Sequence, residues 1–199
     1  MLKKIIIISI GAVSAFALHT AEININDKDL EVNAQFDMGQ FNQNIEPNTF
    51  FVGGRYIKAD AENSGDKYSD IDPLLEANFL LMKKVGNSGF RLGIGTKINY
   101  TQLSALDFVS VPLGVEGTYT IPVQKLIPIH LNAAVYYAPK VLAFKDAKDY
   151  LETRFSVDFE LIKNGSVTVG YRKIETNYDV SGGDFRYNRS AYLGFKFKF

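Results

Sequence analysis

The chain contains no cysteine. A disulfide framework, a metal–thiolate centre and a thiol nucleophile are excluded at once. Histidine is nearly as scarce, with His19 and His130 alone, and neither zinc-ligand spacing nor a G-x-S-x-G nucleophile elbow occurs. No sign of charge dominates, because 22 basic residues face 22 acidic ones. The basic footprint of a nucleic-acid binder is missing, and no nucleic-acid partner is expected. Beyond the opening segment there is no apolar run long enough to cross a bilayer as a helix.

What is present begins with that opening, MLKKIIIISIGAVSAFAL. Lys3 and Lys4 form a basic start, Ile5 to Leu18 is apolar but for Ser9 and Ser14, and Ala15-Phe16-Ala17 has the small-x-small form of a cleavage site. The segment is too short for a spanning helix and has no polar face, so it reads as a cleavable signal peptide over residues 1–17. Cleavage after Ala21 is the alternative. Residues 18–199 then form one domain. Loss of Lys3 and Lys4 leaves 20 basic and 22 acidic residues, a formal charge of −2. An exported chain without cysteine must draw its stability from its sheet or from a membrane. If it inserts, only a closed barrel satisfies its backbone.

After the leader the hydrophobic pattern has a period of two. Phe90, Leu92, Ile94, Thr96, Ile98 and Tyr100 alternate with Arg91, Gly93, Gly95, Lys97 and Asn99. Leu151, Thr153, Phe155, Val157, Phe159 and Leu161 alternate with Glu152, Arg154, Ser156, Asp158 and Glu160. Val111–Ile121 and Ile129–Tyr137 repeat the theme. Successive strand side chains point to opposite faces, so each stretch has one apolar face and one small, polar or charged face. Further strands are expected at Leu30–Met38, Phe50–Ala59, Leu74–Met82, Val167–Ile174 and Tyr187–Phe199, with a shorter one at Glu22–Asn26. The fold expected is an all-β, transmembrane, antiparallel up-and-down barrel of ten strands. Eight is the alternative, if the segment before Phe50 lies outside the wall; the number is even when both ends face one side. A soluble sandwich also alternates. Its second face, however, would carry more Lys, Glu and Thr than glycine, whereas Gly93, Gly95, Gly114, Gly170 and Gly194 here sit among charges, as a narrow lumen requires.

Connection lengths support the barrel. Read back from Phe199, Glu175–Phe185, Pro139–Asp149, Thr101–Val109 and Ala59–Asp72 are the longer links. Ile162–Gly165, Pro122–Pro128 and Lys83–Gly89 between them are short. Short inner turns and longer outer loops are the asymmetry of outer-membrane barrels. Met38–Thr49 is the misfit, being long where a turn is wanted. Tyr56, Tyr100, Tyr137 and Tyr187 fall at outer strand ends and Phe90, Tyr119 and Phe199 at inner ones, which predicts two aromatic girdles.

The chain closes on SAYLGFKFKF. Ala191, Leu193, Phe195, Phe197 and Phe199 share one face, and Tyr192, Gly194, Lys196 and Lys198 the other. Leu193, Phe195, Phe197 and Phe199 resemble the C-terminal signal by which outer-membrane barrels engage the barrel assembly machinery. Asn132–Glu152 (NAAVYYAPKVLAFKDAKDYLE), Ser166–Tyr178 (SVTVGYRKIETNY) and Ala191–Phe199 (AYLGFKFKF) resemble the YfaZ family of small Gram-negative outer-membrane proteins. Tyr136-Tyr137-Ala138-Pro139 and Gly170-Tyr171-Arg172 are the most telling pieces, while the first half matches in strand rhythm alone. The resemblance implies a barrel and an outer-membrane address, and carries over no catalytic residue.

By parity Arg91, Lys97, Glu116, Glu152, Arg154, Asp158, Glu160, Arg172, Lys196 and Lys198 project into the lumen. Charges there must pair or stay hydrated. They form either a salt-bridged, plugged interior, favoured for so narrow a bore, or a hydrated path for small solutes or ions. His130 is read as a polar lumen residue. A catalytic role needs a carboxylate or hydroxyl beside it in an accessible cleft. The acidic connection Ala59–Asp72 offers carboxylates to divalent cations, but without EF-hand spacing it reads as a solvated loop. No cofactor is expected. The function inferred is a structural or interaction role at the envelope, as a monomer in contact with outer-membrane lipid and lipopolysaccharide. A narrow channel is the first alternative and an outer-membrane enzyme the second.

Overall fold

The computed structural model describes residues 19–59, 71–103, 106–122, 127–179 and 185–199. The expected leader and most of the acidic connection lie outside the described residues.

The strands are β1 (Thr20–Ile25), β2 (Leu30–Asp37), β3 (Phe50–Lys58), β4 (Leu74–Lys84), β5 (Phe90–Leu103), β6 (Leu106–Ser110), β7 (Leu113–Ile121), β8 (Ile129–Ala138), β9 (Ala143–Lys145), β10 (Ala147–Ile162), β11 (Gly165–Tyr178) and β12 (Arg186–Lys198). All pair antiparallel. Ten of them close on themselves in the order β1-β2-β3-β4-β5-β7-β8-β10-β11-β12, and β12 returns to β1 from Thr20↔Lys198 to Ile25↔Leu193. His19 and Phe199 extend that seam by exchanging backbone hydrogen bonds of 3.1 and 2.9 Å. Closure leaves no edge in the wall. Because β1 and β2 both belong to it, the count is ten and not eight.

Two expected loops are strand instead. Thr101–Leu103 belong to β5 and Leu106–Val109 to β6, which pairs with it, and Pro139–Asp149 holds a short 3₁₀ turn (Lys140–Leu142) and β9, which pairs with β6. These pieces rise beyond the barrel at its loop end, opposite the chain termini. The strand expected over Val111–Ile121 starts only at Leu113. Pro112 has no N–H to continue the ladder. Its carbonyl accepts from the Lys97 amide (3.0 Å), and the chain changes neighbour there, from β9 above to β8 below.

The long connection after β2 is an ordered structure at the turn end. Asp37 accepts hydrogen bonds from the amides of Gly39 (3.0 Å) and Asn48 (2.7 Å), so one carboxylate clamps both ends of the loop. Gly39 lies so close to the Pro47 backbone that any side chain would collide with it. The Lys163–Asn164 link is a two-residue turn, with Asn164 at φ 67°, a conformation asparagine tolerates.

One aromatic expected at the outer girdle is elsewhere. Tyr56, Tyr100 and Tyr137 face outward, but Tyr187 is 1% exposed and lies inside the lumen. The β11–β12 register slips between Ile174↔Asn188 and Glu175↔Arg186. That bulge inserts one residue and reverses the facing of everything before it. The Tyr187 hydroxyl accepts from the Leu74 amide (2.7 Å) and lies 3.1 and 3.0 Å from the carbonyls of Ile57 and Asp72, tying β12 across the bore.

Candidate functional site: the filled lumen

The inward side chains form three tiers. At the loop end Ile57, Leu74, Leu103, Phe108, Tyr150, Ile174, Tyr178 and Tyr187 make one buried apolar cluster across the bore. Phe108 meets Tyr150 and Tyr178 with ring centroids 6.1 and 5.6 Å apart. Below it lies an ion-pair network. Below that, a polar cavity of about 290 Å³ runs towards the turn end, lined by Arg91, Glu116, His130, Asn132, Asp158 and Lys198 among others.

The centre of the network joins four acids, Glu22, Glu31, Glu76 and Glu152, to four cations, Arg55, Lys97, Arg154 and Arg172, and Lys196 (3.5 Å from Glu22) and Asp29 (3.6 Å from Arg172) extend it. Glu152, with its side chain 1% exposed, accepts from both terminal nitrogens of Arg55 (2.5 and 2.8 Å), from Lys97 Nζ (2.7 Å) and from the Tyr150 hydroxyl (2.8 Å). Arg55 also bonds Glu76, which Lys97 Nζ approaches to 3.3 Å. Arg154 and Arg172 stand directly opposite each other on β10 and β11. Like charges so placed repel. Glu31 reaches over from β2 and binds both, Arg154 at 2.9 Å and Arg172 through its other oxygen. Arg154 also bonds Glu22 and the Tyr192 hydroxyl (2.8 Å), and Arg172 donates to Asn188 Oδ1 (2.9 Å).

The remaining residues singled out by parity also face inward. Lys196 donates to Asp158 (2.7 Å), which accepts further from Asn132 (3.0 Å) and Thr168 (2.8 Å). Glu116 accepts from the Tyr136 hydroxyl (2.6 Å), and Arg91 donates to the Asn48 carbonyl (2.5 Å), fastening the β2–β3 loop to the lumen. Lys198 Nζ lies 3.5 Å from Glu160. The Leu193, Phe195 and Phe197 side of β12 faces outward, opposite the lysines.

Glu22, Glu31, Arg55 and Glu76 were not singled out in the sequence. The signal was the same parity, obscured because the inward face of β3 reads Phe51-Gly53-Arg55-Ile57 and mixes apolar with charged. The inward glycines also have a role the sequence shows only as crowding. A Cβ at Gly95 or Gly114 would overlap Tyr136, and one at Gly170 would overlap Tyr192. Two tyrosines thus lie along the inner wall over the glycines of neighbouring strands. Lys97 Nζ sits 4.0 Å from the Tyr136 ring centroid.

His130 lies beside both a hydroxyl and a carboxylate. Its Nδ1 is 3.0 Å from Thr120 Oγ1 and its Nε2 3.4 Å from Glu160. Thr120 and His130 are direct cross-strand partners, so the first contact follows from register. The second is longer than the roughly 2.7–2.9 Å of a charge-assisted bond.

The class of protein is therefore plain: a closed, ten-stranded, antiparallel β-barrel whose bore holds an apolar cluster and an ion-pair network above a polar cavity. Residues 2–199 match the family described as YfaZ precursor. The chain belongs to the YfaZ family. One solved structure, from work described as "Unveiling the Mechanism Behind the in-meso Crystallization of Membrane Proteins", superposes over 92% of this chain and 83% of its own, with a TM-score of 0.40 and 8% identity. A superposition that loose supports no reading of this chain. No match was found among curated proteins.

Proposed function

We propose that this protein is an integral barrel of the Gram-negative outer membrane and acts there as a monomeric, non-conducting scaffold. It is exported by a leader over residues 1–17 and delivered to the barrel assembly machinery by Leu193, Phe195, Phe197 and Phe199 of β12. Its outward wall supports the address. Ile94 is 64% exposed and Leu92, Val115 and Leu193 more than half exposed, an apolar surface that water does not tolerate on this scale and acyl chains do. The observation that carries the non-conducting reading is the apolar tier. Phe108, Tyr150, Tyr178 and Tyr187 close the loop end above the ion-pair network, so ions meet a desolvation barrier with no counter-charge in that tier. What remains for function is the wall and the loop end, in contact with outer-membrane lipid and lipopolysaccharide. Buried ion pairs stabilise little beyond a hydrophobic filling, and their role here is to fix register.

Outer-membrane fractionation and heat-modifiable gel migration test the address. In planar bilayers the wild type stays silent, and Phe108→Ala combined with Tyr150→Ala opens discrete steps. Steps in the wild type, resized by Glu116→Gln, would establish the channel instead.

The Thr120–His130–Glu160 contact favours a second reading, hydrolysis of a small ester that enters from the turn end. His130 would take the Thr120 proton as the hydroxyl attacks the carbonyl and return it to the departing alcohol, and water would then release the acid from the Thr120 ester and restore the hydroxyl. Ester turnover by the folded barrel, lost in both His130→Ala and Thr120→Val, would establish it; equal turnover in all three forms removes it.

A further inference from the structure

The outward wall is not uniformly bulky. Along one row the register reads Lys83, Leu92, Gly117, Ala133, Phe155 across β4, β5, β7, β8 and β10. Gly117 and Ala133 are the smallest side chains of that row, and the row above carries Leu81, Ile94, Val115 and Val135. The result is an open groove of about 800 Å³. Its floor is small, its flanks are apolar, and it faces away from the lumen. Of its polar lining, Glu116 turns its carboxylate inward to the Tyr136 hydroxyl, and Lys83 from β4 and Glu46 and Thr49 from the loop after β2 remain at the turn-end margin. That margin is held in place, since the Thr49 carbonyl accepts from the Met82 amide at 2.7 Å and the Thr49 hydroxyl bonds the Glu46 carbonyl. Lys83 and Glu46 are both exposed.

We infer that this groove is a binding site for a single phospholipid with a zwitterionic amine headgroup, drawn from the leaflet at the turn end. An acyl chain occupies the floor over Gly117 and Ala133. The phosphate faces Lys83 and the headgroup ammonium faces Glu46. One basic and one acidic group at the margin of an apolar groove match such a headgroup in sign and in number. An anionic headgroup would meet Glu46 with the wrong charge. The inference rests on the membrane reading above.

The probe is an equimolar mixture of phosphatidylethanolamine and phosphatidylglycerol in bilayer nanodiscs that hold the full barrel. Lipids retained after detergent release are read by native mass spectrometry. The wild type retains one phosphatidylethanolamine in preference to phosphatidylglycerol by about fivefold, the worth of one charge contact at a membrane surface. Glu46→Gln removes the preference, and Lys83→Gln lowers retention of both lipids by a similar factor. Gly117→Phe fills the floor and abolishes retention, and Ala133→Leu, a milder filling, reduces it. Unselective retention by the wild type, or unchanged retention in a folded Gly117→Phe or Ala133→Leu barrel, overturns the site and leaves the membrane reading standing. A chain that does not enter the nanodisc, judged by heat-modifiable migration of the same samples, overturns both.

Discussion

Replacing Glu152 by glutamine changes the shape of the network least and its electrostatics most. The substitution leaves Arg55 and Lys97 facing an amide where three charge-assisted bonds had been, in a place where the Glu152 side chain is 1% exposed. Uncompensated buried charge of this kind costs about 3–5 kcal/mol. Lys97→Met alone should cost nearly as much, because Glu152 and Glu76 lose a shared cation and Tyr136 loses its ammonium. The double variant is the informative one. It removes one acid and one cation together and so restores the net charge of the wild-type network. Its cost should fall short of the sum of the single costs by about 2–3 kcal/mol, a coupling of the size that contacting residues show. Urea unfolding of the reconstituted barrel, followed by far-ultraviolet circular dichroism and by gel migration, measures all four corners of the cycle. Additive single and double effects would refute the reasoning, since they would mean that water screens these charges as it does at a surface.

Two further predictions follow from other parts of the fold. Gly170→Val should destabilise the barrel by about 1–3 kcal/mol, because its Cβ overlaps the Tyr192 ring. The penalty should shrink in a Tyr192→Ala background, and equal penalties in both, measured by the same urea titration, would show that the ring is not the obstacle. At the loop end Lys140 Nζ donates to Asp179 at 2.9 Å and holds that carboxyl below the usual aspartate range. The folded carboxyl is the stronger acid, so the clip contributes above the ordinary aspartate pKa and is lost as pH falls through the depressed one. Carboxyl carbon chemical shifts should show Asp179 titrating low, returning to the ordinary range in Lys140→Met. An unchanged titration in that variant would exclude the clip.

Much of the wall was legible because a strand in a barrel obeys a two-residue rule that water, lumen and lipid all enforce. Leu92 and Ile94 had to face one way and Arg91 and Lys97 the other, and the same rule carried β10 and β12 through to Phe199. It failed where a single residue interrupts the ladder. Pro112 withholds an N–H, so the strand expected from Val111 begins only at Leu113, and the expected loop before it is largely the strand β6. The bulge at Tyr187 turns an expected girdle tyrosine into a crossbar of the lumen, and an alternation pattern contains no mark of the extra residue. The loop after β2 looked too long for a turn because the Asp37 clamp on Gly39 and Asn48 depends on the folded path of the chain.

By itself the amino-acid order determined that the chain forms alternating antiparallel strands, that charges and glycines share one face, and that no thiol or helical span has a part. Tertiary structure decided which charges meet. Parity placed Arg172 in the lumen without naming its partner; in the fold it meets Glu31, far off in sequence and brought to it only when β12 pairs with β1. Alternation is a local property, set by the geometry of one strand. Pairing across a lumen depends on register and closure summed over every strand between, and no short stretch of sequence contains it.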